Sequence, residues 1–565
     1  MPDSKQTSFF RNWFASGEPW IWMNAAAVGI SLSAVIGILL LIAVKGLSHF
    51  WPADVAQITF TDQNNQLQSI YGELIELDVV PVKQFLESGG NPEWTKPGEA
   101  EMRRWLVKTG NRKVNPPDFR WIYLNQIKNI ENPSDVIVLE RVEWGNAYGV
   151  ASSITTRGGN NAQFVTASNL ATQLRERLER GSRIRDEIHE LEQGEMNGIN
   201  QDLEKLRLKL RQLNSEEFKE EARIAEILAL QTQLLARYDL LENTLRGKYE
   251  ELDQDELTIS DASGREINLR LADVLRIWRP NSMNGFEKLT EYVGNLGRFL
   301  SEDPREANTE GGVFPAIFGT VLMVLLMSVV VAPFGVIAAV YLREYAKQGP
   351  LVRAIRIAVN NLAGVPSIVY GVFGLGFFVY FLGGNIDQLF FAEALPSPTF
   401  GTPGLIWASL TLALLTVPVV IVSTEEGLTR IPRNLREGSM ALGATQAETL
   451  FKVILPMASP AILTGVILAV ARAAGEVAPL MLVGVVKLAP TLPIDGTFPY
   501  LHLDRKFMHL GFHIYDVGFQ SPNVEAARPL VYATSLLLVI LIVSLNLTAI
   551  TLRGRLELLY KGVES

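Results

Sequence analysis

Residues 461–480 read AILTGVILAVARAAGEVAPL, and this stretch decides the fold. It belongs to a run at residues 461–486 that is long and apolar enough to cross a membrane, which takes about 20 such residues. Within the run stand one cation, Arg472, and one anion, Glu476. Because ionisable side chains are costly in lipid, both should face the interior of a helical bundle or a water-filled cavity. The pattern therefore predicts a helix that has other membrane helices around it.

Five further apolar runs supply those helices. They lie at residues 20–44, 313–342, 361–382, 405–423 and 530–552. The first run exceeds the 7–15 residues of a secretory signal core, and no small-x-small cleavage site follows it, so we interpret it as a retained anchor. We predict an all-α polytopic membrane protein with six transmembrane helices.

Residues 52–312 have a different composition. This segment holds 44 of the 60 acidic residues and 32 of the 51 basic residues of the 565-residue chain, which predicts a soluble, acidic domain inserted after the first span. An acidic surface argues against nucleic acid as a partner, because phosphate binding needs basic residues. The chain has no cysteine, which excludes disulfides, thiolate metal sites and cysteine nucleophiles. We predict no catalytic residue and no metal site.

The orientation follows from lysine and arginine in the short loops. Placing the N-terminus inside gives the cytoplasm thirteen such residues and gives the short loops on the other side four. Residues 1–19 would then be a cytoplasmic N-terminus, 20–44 the first span, 52–312 a periplasmic domain and 313–560 the membrane core with transmembrane helices 2 to 6. Both termini are expected in the cytoplasm.

A helical hairpin is predicted within the inserted domain, at about 167–257. Apolar residues there keep one heptad register, which is typical of a coiled coil: Leu203, Leu206, Leu210, Leu213, Ile224, Ile227, Leu234, Leu241 and Leu245. Gly194 and Gly198 would let an earlier helix fold back, giving an antiparallel hairpin. Residues 135–144 and 256–271 alternate as strands do, so the hairpin should stand on a small α+β base. A solvated spacer and a docking surface for another exported component both remain open as its role.

The loop at residues 424–460 carries the most specific motif. Residues 436–444 read REGSMALGA and residues 453–456 read VILP. We interpret this as a helix, a glycine break, a second helix and a proline stop, with Gly443 in a left-handed turn and Pro456 ending the second helix before the fifth span. The small residues Gly438, Ser439 and Ala444 would allow another surface to approach closely.

This motif resembles the EAA loop of the permease subunits of binding-protein-dependent ABC importers, and its spacing fits at Glu437, Gly443, Leu455 and Pro456. The resemblance implies a bacterial inner-membrane subunit of the type I, MetI-like kind. It also implies that Glu437, Gly438, Ser439, Gly443, Ala444, Leu455 and Pro456 belong to a coupling loop that docks on a cytoplasmic ATPase. The chain has no phosphate-binding GxxxxGK[ST] loop, so ATP and Mg²⁺ would be held by that separate ATPase, and this chain would bind no cofactor.

Arg472 and Glu476 are the predicted substrate path. They are four residues apart and can pair along one helix face, either as a self-neutralising structural pair or as an anion site in which Glu476 orients Arg472. An arginine fork matches phosphate or carboxylate oxygens. The stretch ARAAGEVAPL at residues 471–480 also resembles the phosphate-specific members of the importer family, and that likeness covers about 313–561 plus the anchor.

The resemblance implies import of inorganic phosphate by an assembly of several subunits. These would be this chain, a homologous permease, an ATPase dimer and a periplasmic phosphate-binding protein, all in or at a lipid membrane. A permease for another oxyanion, such as sulfate or molybdate, stays open, because an arginine fork does not separate these anions. A membrane-anchored coiled-coil scaffold or sensor is the alternative from a different class.

Overall fold

The computed structural model describes residues 13, 15–62, 65–89, 91–95, 98, 100–112, 118–156, 167–215, 221–521 and 524–561. Most of the predicted cytoplasmic N-terminus, residues 1–12 and 14, lies outside these ranges. Among the described residues, six helices are long and apolar enough to cross a membrane. We number them as spans 1 to 6: Glu18–Ser48, Phe314–Tyr345, Ser367–Phe390, Leu405–Arg430, Gln446–Gly475 and Ala527–Arg555.

Spans 2, 3 and 5 pack around the fourth, which is the most buried, while spans 1 and 6 are exposed along most of their length. Span 4 packs against spans 2 and 5, and the shared core contains Met323, Met327, Leu412, Val420 and Ala469. Close approach is possible because small residues stand at the crossings. A Cβ added to Gly465, for example, would lie 2.8 Å from the side chain of Ser423 on span 4.

Spans 2, 3 and 5 each combine several helical segments, whereas span 4 is one helix and span 6 is part of one longer helix. In chain order these are Phe314–Val340, a π-turn at Tyr341–Tyr345, Ser367–Phe373, a π-turn at Gly374–Gly383, Gly384–Phe390, Leu405–Arg430, Gln446–Thr449, a π-turn at Leu450–Ile454, Leu455–Gly475 and Val524–Lys561. Helices outside the spans lie at Pro350–Leu362, Arg433–Ala441, Leu480–Val483 and Leu510–Tyr515, with a π-turn at Asp516–Gln520. The predicted start of the third span at residue 361 is wrong. The helix stops at Leu362, because Pro366 disfavours helical geometry at Val365, and a new helix begins at Ser367.

The inserted domain contains two five-stranded antiparallel sheets, of which the sequence indicated only part of the second. The first sheet has the order β4-β3-β2-β1-β5, and its strands are β1 (Val55–Thr61), β2 (Leu67–Pro81), β3 (Glu101–Lys108), β4 (Phe119–Tyr123) and β5 (Ile127–Glu131). The second has the order β10-β6-β7-β8-β9, with β6 (Ile137–Arg141), β7 (Ala147–Thr156), β8 (Asp255–Ser260), β9 (Glu266–Arg270) and β10 (Val274–Trp278). A two-stranded ribbon pairs β11 (Pro304–Arg305) with β12 (Glu310–Gly311). The predicted strands at 135–144 and 256–271 are confirmed as β6 and the β8–β9 hairpin.

A long helical hairpin joins β7 to β8. Its first arm comprises helices Ala167–Glu190 and Asn197–Ser215 with a π-turn at Leu191–Met196, and its second arm is the helix Glu221–Leu252. The arms are antiparallel, since Lys248 pairs with Glu187 and Arg237 pairs with Glu195. Every seam position predicted on the second arm is half-buried among exposed neighbours, so the heptad register is confirmed there.

The predicted reversal at Gly194 and Gly198 is wrong. The first arm continues as a helix through both glycines, because Met196 and Ile199 bury apolar side chains that keep the seam intact. Two helical glycines cost about 1 kcal/mol each, which such packing can offset. The connection between the arms, residues 216–220, lies outside the described residues.

The base of the domain is attached to the membrane spans. Helix Gly285–Ser301, which we call the juxtamembrane helix, packs on the ends of spans 1, 2 and 6 through a shared apolar cluster that contains Phe50, Phe299, Val313 and Leu530. The rings of Phe50 and Phe299 lie 5.0 Å apart. Asn308 adds a polar tie by donating from Nδ2 to the carbonyl oxygen of Lys487 at 2.9 Å.

Candidate functional site

The loop between spans 4 and 5 forms a compact helical turn. Helix Arg433–Ala441 ends at Gly443, whose φ of +93° lies in the left-handed region and confirms the predicted turn there. The closing hydrogen bonds run from the Gly443 N–H to the Met440 carbonyl oxygen at 3.0 Å and from the Ala444 N–H to the Ser439 carbonyl oxygen at 3.2 Å. Thr445 then caps the next helix by accepting from the Glu448 N–H at 3.2 Å.

This turn presents an apolar surface. Leu442 is 91% exposed, and Leu435, Met440 and Phe451 are also exposed. Beside them lies a groove of about 740 Å³ lined by Asn434, Leu435, Gly438, Ser439, Ala441, Leu442, Ala444 and Val453. Exposed large apolar side chains around a groove of small residues are typical of a protein-docking surface.

The seven predicted loop residues fall into two groups. Gly438, Ser439 and Ala444 line the groove, Glu437 is exposed on the same helix, and Gly443 shapes the turn. Leu455 and Pro456 instead lie half-buried at the start of helix Leu455–Gly475, where Leu455 packs on a neighbouring core.

The prediction that Pro456 ends the second helix is wrong. Span 5 runs continuously from Gln446 to Gly475, and Pro456 sits in the first turn after the π-turn Leu450–Ile454. A proline has no N–H to donate and its ring clashes with the carbonyl of the previous turn, and the wider π-turn relieves both constraints. The second helix of the loop and the fifth span are therefore one continuous helix.

An ion pair that sequence reasoning missed fixes the loop to span 2. Arg436 Nη2 lies 2.9 Å from Glu344 Oε1, and the same guanidinium donates to the carbonyl oxygens of Leu428 and Ile431. The two partners are 92 positions apart in the sequence, so no local signal pairs them.

Arg472 and Glu476 come together as predicted, but only Arg472 lies within a span. The fifth span ends at Gly475, and Glu476 has extended backbone angles, φ −79° and ψ 134°. The prediction that the span continues to residue 486 is therefore wrong. Gly475 is a poor helix former, and Pro479 disfavours helical geometry at the residue before it. Both features favour an end of the helix here.

The pair is loose and partly open. Arg472 Nε lies 3.4 Å from Glu476 Oε1, and the side chains are 32% and 20% exposed. Among the described residues, the two Nη nitrogens of Arg472 have no hydrogen-bond partner. The guanidinium therefore keeps donors available for an incoming acceptor.

Close packing holds the segment after Glu476 in place. A Cβ on Gly371 of span 3 would lie 2.7 Å from the Cα of Pro479, and a Cβ on Gly511 would lie 2.6 Å from Val477. Tyr370, next to Gly371, donates its hydroxyl to the Leu362 carbonyl oxygen at 2.7 Å. The sequence did not indicate this contribution of span 3.

A cavity lined by several arginines lies beside the start of the loop between spans 4 and 5. It has a volume of about 610 Å³ and is lined by Arg343, Arg356 and Arg430 together with Glu425 and Glu426. Arg356 is engaged with Glu425, Nε to Oε1, at 3.1 Å. In the sequence these arginines indicated only membrane orientation, and the fold brings them together.

Within the described ranges, no group of three or more His, Asp or Glu side chains is placed to hold a metal ion. Six candidate spans with an exposed helical loop between the fourth and fifth are the architecture of a helical membrane protein. Residues 331–558 match the binding-protein-dependent transport system inner membrane components.

Relatives include the phosphate transport system permease protein PstA of Mycobacterium leprae, 36% identical over 239 residues, or 42% of this chain and 69% of that protein. The probable ABC transporter permease protein YqgI of Bacillus subtilis is 31% identical over 260 residues, or 45% of this chain and 81% of that protein. Among solved structures, the MetNI methionine ABC transporter in inward-facing conformations is similar with a TM-score of 0.31 and 20% identity, covering 43% of this chain and 94% of that chain.

This chain belongs to the binding-protein-dependent transport system inner membrane component family. It is a multi-pass inner-membrane permease of an ABC importer, a subunit that is not itself catalytic and whose family has no bound cofactor. Its importer works with an ATPase and a binding protein.

Proposed function

We propose that this chain is the permease subunit of an ATP-driven importer for inorganic phosphate. The observation that carries the proposal is the free donor set of Arg472 at the end of span 5, in a chain 36% identical to a phosphate transport system permease over 239 residues. A guanidinium with unoccupied Nη donors can bind two oxygens of one phosphate, and Glu476 limits the unpaired charge when the path is empty.

The proposed assembly contains a homologous PstC-like permease, a PstB-like ATPase dimer and a PstS-like periplasmic phosphate-binding protein. The ATPase binds ATP and Mg²⁺ and docks on the groove around Gly438, Ser439 and Leu442. Because the loop continues into span 5, movement of the loop reaches Arg472 along a single helix. This continuity supports a type I, MetI-like mechanism in which ATPase closure switches access to the cavity.

The proposed topology has both termini in the cytoplasm and the inserted domain, residues 52–312, in the periplasm. The lysine and arginine distribution of the short loops supports it, since long domains cross largely regardless of charge.

The test is ATP-dependent uptake of radiolabelled phosphate by the reconstituted complex. We expect Arg472→Gln to abolish uptake while the subunits still co-purify, whereas Arg207→Gln on the exposed hairpin leaves uptake unchanged. Normal uptake by Arg472→Gln would remove this residue from the path. Competition by sulfate or molybdate as effective as that by phosphate would assign the permease to another oxyanion.

A further inference from the structure

The juxtamembrane helix, Gly285–Ser301, has an apolar side that no described part of the chain covers. Phe286 is 78% exposed and Val293 is 59% exposed, and Leu289 and Leu300 lie on the same side. The spacing of these four residues, three to seven positions apart, places them along one face of the helix. The helix thus presents a stripe of large apolar side chains away from the protein.

The charged residues of this helix face the other way. Glu291 pairs with Arg276 at 2.7 Å and with Arg298 at 2.6 Å, and Lys288 pairs with Asp54. Glu287 is the remaining charged residue of the helix. Its side chain accepts from the Asn284 N–H in a capping box. The outward stripe therefore carries no charge, which is the reverse of the pattern expected for a helix facing water.

The position of this helix relative to the membrane follows from span 1. Trp22 and Ser48 are separated by about 39 Å of helix at 1.5 Å per residue. This length is close to the roughly 40–45 Å of a bilayer with its headgroups, so Trp51, three residues beyond Ser48, lies at the second headgroup level. Exposed tryptophans near both ends of the span, Trp22 and Trp51, match the aromatic belts of membrane proteins.

Trp51 fixes the helix at the same depth. Its ring lies 5.9 Å from the ring of Tyr292 in the middle of the helix, and Asn295 donates to the Phe50 carbonyl oxygen at 3.0 Å. Leu289 and Val293 lie within about 5 Å of Tyr292 along the helix axis, and Phe286 and Leu300 within about 12 Å. The two central residues of the stripe are therefore near the headgroup level whatever the tilt of the helix.

We propose that the juxtamembrane helix is an interfacial lipid anchor, with Phe286, Leu289, Val293 and Leu300 inserted into the membrane on the side that carries the inserted domain. The helix holds the domain against the bilayer surface through apolar burial in lipid. This contact is independent of the transported substrate.

The natural absence of cysteine makes the test direct. Leu289→Cys and Val293→Cys variants are each labelled with bimane, assembled with the partner subunits and placed in nanodiscs of phosphatidylcholine with or without brominated acyl chains. Leu240→Cys, on the exposed hairpin, is the matched control. We expect brominated lipid to quench both helix labels at least twofold more than the control label.

Quenching at 289 and 293 no greater than at 240 would overturn the proposal. If the helix labels are then also shielded from a water-soluble quencher, the stripe is covered by another subunit. If they are open to that quencher, the stripe faces water, and in either case the lipid contact is disproved.

Discussion

Arg211, near the far end of the first hairpin arm, donates from Nη1 to the main-chain carbonyl oxygen of Glu393 at 3.2 Å. Glu393 lies in the loop between spans 3 and 4, and a second bond to the Leu395 carbonyl oxygen at 3.3 Å strengthens the contact. The hairpin starts from a base that is attached to spans 1, 2 and 6. Its far end reaches the loop between spans 3 and 4. The hairpin therefore contacts the rest of the chain at both ends, unlike a spacer or an arm that extends freely into solvent.

We expect the contact at the hairpin tip to be detectable by cross-linking in membranes. With Arg211→Cys and Glu393→Cys in one chain, a short bismaleimide should join the two positions in high yield. Leu240 lies about 30 Å along the hairpin from its tip, so Leu240→Cys with Glu393→Cys should give no product. Equal yields for the two pairs would mean that the hairpin does not rest on this loop.

The turn at Gly443 should be sensitive to substitution. Gly443→Val places a branched side chain at φ +93° and should cost more than about 1–2 kcal/mol, displacing Leu442 and lowering ATPase co-purification. Gly247 lies in the hairpin helix Glu221–Leu252 with open space around its Cα, so Gly247→Ala should stabilise that helix slightly and keep the ATPase bound. Affinity purification followed by quantitative mass spectrometry measures both.

Acid should weaken the inserted domain through Glu140. Burial alone would raise the pKa of Glu140, but the guanidinium groups of Arg276 and Arg305 outweigh it and hold the pKa below the ordinary 4.5. A carboxyl with a depressed folded pKa contributes stability above its unfolded pKa, and this contribution is lost as the pH falls through the folded value.

Glu140→Gln should therefore lower the unfolding temperature of the domain at neutral pH and reduce the further loss seen below about pH 4.5. Exposed Glu101→Gln is the control and should behave like the unsubstituted chain. Thermal unfolding followed by tryptophan fluorescence across this pH range gives the comparison. An identical acid profile for Glu140→Gln would exclude this carboxyl as a source of the pH dependence.

Leucines on and off the hairpin seam should contribute differently to the stability of the hairpin. Leu206 is buried on the first arm, so Leu206→Ala should destabilise the hairpin by about 2–5 kcal/mol. Leu240 is 70% exposed, and Leu240→Ala should change stability by less than about 0.5 kcal/mol. Amide hydrogen exchange across the two arms measures the local free energy of opening, and similar exchange in both variants would contradict the seam assignment.

Continuous apolar runs and a regular heptad pattern predicted the fold well. The apolar runs indicated all six candidate spans, and the heptad register indicated which face of helix Glu221–Leu252 packs inward. Helix ends were less predictable, because hydropathy averages across breaks such as Gly475–Glu476 and across continuities such as the π-turn before Pro456. The first sheet was not predicted, and in strand β2 the alternating apolar residues Ile75, Leu77 and Val79 are exposed, not buried.

The local parts of the site were also predictable, and the long-range parts were not. Gly443 was assigned its left-handed turn from a short motif, and Arg472 and Glu476 were paired from their spacing. Gly371 against Pro479, and Glu344 beside Arg436, depend on helices that pack about 100 positions apart. A single sequence holds no signal for such neighbours.

The aromatic contact of Phe50 with Phe299 holds the start and the end of the inserted domain close together. The Val313 N–H bonds the Phe299 carbonyl oxygen at 2.8 Å, so the polypeptide departs from the bilayer and returns to it at adjoining points. Because these two points adjoin, the length of the segment between them can change without altering the spacing of spans 1 and 2.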